Sequence, residues 1–178
     1  RTDSAILKMF HMSRKDQPFA EVISELNLTP VSISYEYDPC DQAKARELYI
    51  RATSGSYNKA PGEDDNSIAL GITGYKGRVH INFAAPISSE FADTKVLAAA
   101  MDRHIIAGYR LFPVHYLAYA QWAERDPALQ VPNASELFGP AELATAKAEW
   151  AKRLAACPSE QQPYLIMQYA NPVRNQYR

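Results

Sequence analysis

The sequence predicts an α/β fold, a small sheet covered by helices with an all-helical carboxy-terminal part. Three observations carry this expectation. Residues 28–39 alternate Val31, Ile33, Tyr35 and Tyr37 against Ser32, Ser34 and Glu36, the period-2 pattern of a half-buried strand with one apolar and one polar face. A second alternation sets Val79, Ile81 and Phe83 against Arg78, His80 and Asn82. From Phe91 onward the chain is alanine-rich, and its apolar residues recur at helical spacing.

Taken in order, Thr2 or Asp3 can cap a first helix carrying Ile6, Leu7, Met9 and Phe10. A second helix after Pro18 places Phe19, Val22, Ile23 and Leu26 on one stripe. Pro30 suits the start of the first strand, because proline cannot donate to the middle of a ladder. Asp38 and Pro39 then end the strand and open a helix through Ala45, Leu48 and Ile50 with a basic side at Lys44, Arg46 and Arg51. Residues 53–65 hold enough turn formers to read as a loop, followed by a short apolar helix over 67–72. After the second strand, Val96, Leu97, Ala100, Met101, His104 and Ile105 form a helical stripe that Gly108 stops. Further helices are expected over 114–124 and 141–156, with one or two turns over 163–169. Two strands alone make a poor sheet, so the expectation is that the remaining strands precede Arg1 in a longer protein.

A chain of 178 residues suits one domain able to bury roughly two-thirds of its unfolded surface. Lys and Arg number 19 against 20 Asp and Glu, so no global field favours nucleic acid. Cys40 and Cys157 stand alone, with no Cys-x-x-Cys, which argues against a zinc site and against a disulfide framework and makes a cytoplasmic setting the expectation. No window reaches the roughly 18 apolar residues of a spanning helix, which leaves peripheral membrane contact open.

Several places offer chemistry. Gly71, Gly74 and Gly77 lack the strand-then-helix order of a phosphate-binding fingerprint and read as a turn. His11 and Asp16 have the spacing of a base and its orienter, but four histidines and nine aspartates produce such a spacing readily, and His11 follows a helical stripe directly. In the loop, Lys59 beside Tyr57, Glu63 and Asp64 is a candidate for an anionic head group, with a solvated turn as the alternative. Lys76 and Arg78 sit at a strand entrance, and His80, His104 and His115 lack metal-ligand spacing. The aromatic run Tyr109, Phe112, His115, Tyr116, Tyr119 and Trp122 suits a membrane interface or acyl pocket, and equally a helix–helix core.

The run Leu-Thr-Pro-Val-Ser-Ile-Ser-Tyr-Glu from Leu28 resembles the fourth conserved block of the glycerolipid acyltransferases, the glycerol-3-phosphate and 1-acylglycerol-3-phosphate O-acyltransferases. Lys-Gly-Arg-Val-His-Ile-Asn-Phe-Ala-Ala-Pro-Ile from Lys76 is similar to a later strand of that family, with Ala84 where glycine is more usual. The runs 32–39, 57–64 and 74–80 resemble a bacterial subgroup, and the likeness covers about residues 1–120.

The resemblance implies that residues 1–90 are the carboxy-terminal portion of an acyltransferase α/β domain, a partial glycerolipid-acyltransferase-like sheet, and that residues 91–178 are a helical extension packing on it. It implies transfer of a fatty acyl group from acyl-CoA or acyl carrier protein to a glycerol-phosphate or lysophospholipid hydroxyl, at the surface of the inner membrane, with no cofactor or metal. The family's His-x4-Asp and Glu-Gly-Arg blocks precede the fourth block and neither is in place here, so this part alone is expected to be inactive. His11 and Asp16 lie only 19 residues before Pro30, with Phe10 where the family has asparagine, and are read as coincidence. Pro30 is carried over as shaping the acceptor or acyl site, with Ser32, Ser34 and Glu36 as further substrate-binding candidates beside Lys59. The alternative is a non-catalytic α/β module that binds a lipid or a protein, and a third reading is a small hydrolase using His11 and Asp16.

Overall fold

The computed structural model describes residues 2–87, 91 and 93–178. The chain is helix-rich and mixed α/β, with a two-stranded sheet. By contacts it divides into two compact units, Arg1–Ser34 with His80–Arg110, and Tyr35–Val79 with Leu111–Arg178. Each takes two stretches of sequence.

The first unit opens with α1 (Ser4–Met12), and Asp3 caps it by accepting from the Ala5 N–H at 2.8 Å. Helix α2 (Phe19–Glu25) follows Pro18, and α5 (Thr94–Ala107) is capped by Asp93, which accepts from the N–H groups of Lys95 and Val96. Leu7, Ile23, Ile87, Leu97 and Ala98 form the buried core between them, flanked by Phe19, Leu28, Phe91 and Met101. The Thr2 N–H and hydroxyl both donate to Asp102 on α5.

Strands β1 (Val31–Tyr35) and β2 (Val79–Phe83) pair antiparallel. The Glu36 N–H donates to the Arg78 carbonyl at 2.9 Å and the Ala84 N–H to the Pro30 carbonyl at 3.0 Å. That register sets Ser32 opposite Asn82, Ser34 opposite His80 and Glu36 opposite Arg78. Val31 faces Phe83, Ile33 faces Ile81 and Tyr35 faces Val79, all in the closer, non-hydrogen-bonded pairs.

The faces are the reverse of what alternation suggests. Ser32, Ser34 and Glu36 are buried, whereas Ile33 is 48% exposed and Phe83 is 71% exposed. The reason lies at the end of α5. The Ser32 hydroxyl donates to the Ile105 carbonyl at 2.8 Å, supplying a partner that the last turn of a helix lacks, and the Arg110 N–H donates to the Ser34 hydroxyl at 2.8 Å. A methyl group at Gly108 would lie 2.3 Å from Asn82 Nδ2 and 2.6 Å from Ser32 Oγ, so only a bare backbone approaches this closely. Small polar side chains on the strand let the helix end dock and satisfy it.

In the second unit α3 (Asp41–Ser54) ends on Gly55, whose φ of +77° is the left-handed cap glycine tolerates. Helix α4 (Glu63–Thr73) begins earlier than the apolar pattern indicates, because Glu63, Asp64 and Asp65 suit the positive end of its dipole. Gly71 is therefore helical, and Gly74 ends that helix. Helices α6 (Pro113–Gln121), α7 (Ala134–Leu137), α8 (Pro140–Ala156) and α9 (Gln162–Tyr177) complete the unit. Helix α6 packs on α9 and α8, and α3 packs on α9. Helix α9 runs two turns beyond the expected stop, through Pro172. A proline inside a helix costs about 3 kcal/mol, and here Leu165, Tyr169, Ala170 and Val173 are buried on both sides of it, which offsets that cost.

Candidate functional site

Each residue singled out from sequence is engaged by partners within its own unit. Pro30 is buried and its carbonyl closes the end of the strand ladder. The Ser32 and Ser34 hydroxyls are spent on main-chain groups of the α5 end, so the strand's polar face is neither solvated nor open. Lys59 Nζ sits 2.5 Å from Asp64, Tyr57 donates to Glu63, and the Ala60 N–H donates to Glu63 as well, which makes the loop an ordered cap for α4. The Lys59 ammonium thus already has its anion. His11 Nε2 lies 2.8 Å from the Gln17 carbonyl and its ring meets Phe19 edge-on, while no hydrogen bond joins it to Asp16.

Glu36 does have a partner of consequence. The Arg78 side chain reaches Glu36 Oε1 at 2.8 Å through Nη2 and Oε2 at 3.0 Å through Nε, and the Arg78 N–H adds a third bond at 3.0 Å. The same guanidinium bonds Glu142 at 2.5 Å and lies 5.0 Å from the centre of the Phe112 ring. Burial alone would raise the Glu36 pKa, but the Arg78 bonds outweigh it and hold the carboxyl below its ordinary value. Gly77 precedes Arg78 with φ of +63°, and a side chain there would meet Tyr37 at 2.7 Å and Glu36 at 2.8 Å. Two requirements therefore fix glycine at that position.

The densest polar cluster sits where α3, α8 and α9 meet. Asp41 is buried at the first turn of α3 and accepts from Arg153 Nη1 and from the Tyr169 hydroxyl, both at 2.7 Å, and from the Gln42 N–H. The Asp38 N–H donates to the Tyr169 oxygen at 3.0 Å. Arg153 also bonds Glu149 and lies 4.5 Å from the centre of the Tyr37 ring. Burial, then the adjacent Asp41, pushes the Tyr169 hydroxyl well above its usual pKa, so it stays protonated as a donor. Tyr37 is pushed up to about 12 by burial and by Glu36. Beside this cluster His115 accepts from the Phe112 N–H through Nδ1 at 2.9 Å, and burial lowers its pKa to about 4, so it is neutral near pH 7.

Sequence reasoning missed Asp41, Arg153, Tyr169 and the role of His115. One signal was present: Leu143, Ala146, Trp150 and Arg153 share a stripe at spacings of 3, 4 and 3, so a charge stands on the buried face of α8. A charge there needs a buried partner. Chemically the cluster is saturated: each acceptor of Asp41 is used, and Arg153 serves as a cross-brace rather than a free cation. No group of three or more potential metal ligands occurs among the described residues, and no helix among them is long and apolar enough to cross a membrane.

Compared with models of known protein families, with curated proteins and with solved structures, the chain matches none.

Proposed function

We propose that this chain is the carboxy-terminal part of an O-acyltransferase that moves a fatty acyl group from acyl-CoA or acyl carrier protein to a glycerol-phosphate or lysophospholipid hydroxyl at the inner-membrane surface. The resemblance at residues 28–36 and 76–87 supports this reading, and it falls on β1 and β2 themselves. The observation that carries it is the outward row Val31, Ile33, Tyr35, Val79, Ile81 and Phe83, all exposed on those strands. A sheet apolar on a face that the described residues leave uncovered is what an α/β enzyme sheet, enclosed on both sides, presents in part. In this reading Pro30, whose carbonyl closes the strand ladder, and the inward serines, which fix the end of α5 against β1, build a wall of the site, and the base lies outside this segment. Transfer forms the new ester as the acceptor oxygen attacks the thioester carbonyl, the C–S bond breaks, and the hydroxyl proton passes through that base to the leaving thiolate, which departs as the thiol.

The whole product of the natural gene is the material for the test, assayed for thiol release with acyl-CoA and with acyl carrier protein, each against glycerol-3-phosphate and lysophosphatidate. Turnover that survives His11→Ala and vanishes on replacing the histidine of an upstream His-x4-Asp pair supports the reading. A gene without that pair, whose product releases no thiol, overturns it. The second reading, a non-catalytic module binding a lipid or a protein, is favoured by Ile68 and Ile72, one turn apart and both exposed on α4. Vesicle or partner binding by a product that turns nothing over would select it.

A further inference from the structure

A cavity of about 370 Å³ opens in the second unit between the start of α9, the residues after α6 and the side of α3. Its walls include Tyr49, Trp122 and Tyr164, and its rim carries Glu124 and Glu160. The rings of Tyr49 and Tyr164 meet edge to face, with centroids 6.2 Å apart. No lysine, arginine or histidine lines it, and neither carboxylate forms an ion pair among the described residues. Among the described residues, Glu160 accepts from the neighbouring Ser159 hydroxyl at 3.2 Å.

We propose that this cavity is a binding site for a compact organic cation of the quaternary-ammonium kind. Such a cation donates no hydrogen bonds, so it needs aromatic faces and diffuse negative charge rather than directed acceptors. Two tyrosine rings, backed by Trp122, and two carboxylates with no ion-pair partner among the described residues supply both. Trp122 is buried and already carries the Arg174 guanidinium 5.6 Å from its ring centre, so Tyr49 and Tyr164, both partly exposed, are the rings left to the ligand. The volume is within the range of small-molecule sites, about 300–1,000 Å³. Two further cavities lack this one-signed lining. One carries Arg125 and Lys147 beside Asp126, and the other borders Asp41 and Arg153, which neutralise each other. This site stands apart from the acyl-transfer reading and does not depend on it.

The test titrates the protein at constant ionic strength with choline and with 3,3-dimethyl-1-butanol, its uncharged isostere, following the Trp122 indole and Met167 methyl resonances. Choline is expected to saturate the site and the alcohol to bind about 10-fold more weakly or not at all. Tyr164→Leu is expected to weaken choline by about 3- to 30-fold. The double change Glu124→Gln with Glu160→Gln is expected to weaken choline and leave the alcohol unaffected. If Tyr164→Leu loses its circular-dichroism spectrum, the glutamate pair decides alone. Equal binding of the two probes, absence of saturation, or indifference to the glutamate changes overturns the proposal. A short-chain phosphatidylcholine, kept below its micelle threshold, distinguishes the source: tighter binding than choline assigns a lipid head group, and equal or weaker binding assigns a free cation.

Discussion

The Tyr169 hydroxyl donates to Asp41 at 2.7 Å and at the same time accepts from the Asp38 N–H at 3.0 Å, tying α9 to the start of α3 through one buried oxygen. Tyr169→Phe removes that oxygen and leaves a buried N–H and part of a carboxylate unsatisfied. A loss of about 1–3 kcal/mol is expected in urea unfolding. Tyr75→Phe, whose ring is 66% exposed, is expected to stay within about 0.5 kcal/mol.

Arg153 neutralises the same carboxylate. Arg153→Met strands Asp41 in the interior and is expected to cost about 3–5 kcal/mol. Adding Asp41→Asn to it should restore part of that loss. A double-mutant cycle by chemical denaturation measures the coupling, and additive losses would show that the pair does not interact.

Acid stability follows from His115. Its pKa falls from 6.5 to about 4 on folding, so between those values the unfolded chain binds a proton that the folded chain does not. Stability is therefore complete above pH 6.5 and is lost as pH falls toward about 4, by up to about 3 kcal/mol. Glu36, also lowered, adds a separate loss below its ordinary value of 4.5. Unfolding of His115→Asn, in which the amide oxygen can still accept from Phe112, should lack the first of these losses and keep the second.

Two glycines separate packing from propensity. Gly108→Ala drives a methyl group into Ser32 and Asn82 and is expected to cost about 1–3 kcal/mol. Gly71 lies in the last turn of α4 with nothing within 4 Å of an added methyl group, and Gly71→Ala is expected to stabilise by about 0.5–1 kcal/mol. Thermal unfolding of the two variants should shift in opposite directions.

The outward row of the sheet makes the remaining prediction. Replacing Ile33 and Ile81 by threonine keeps β-branching in the strands while removing exposed apolar surface. Dye binding by exposed apolar surface should drop and solubility should rise, with the unfolding midpoint changing little. A large fall in stability would show that the face is covered in solution.

Most helices were legible in the sequence, because the stripe of Val96, Leu97, Ala100 and Met101 and the cap at Asp3 are local features. Both strands were legible too, since alternation needs no partner to be seen. The ends of α4 and α9 were not. The acids that begin α4 read as loop composition, and the proline inside α9 reads as a stop unless the burial of Tyr169 and Val173 is known.

What the sequence by itself determined is where most of the helices and both strands lie, since these follow from local spacing and propensity. Which side of β1 faces inward was decided only by the tertiary structure. Alternation is symmetric between two faces, and the choice was made by hydrogen bonds to a helix end more than 70 residues away. The same holds for Asp41, Arg153 and Tyr169, whose spacing along the chain says nothing of their meeting: a buried charge is bearable only where a distant partner completes it.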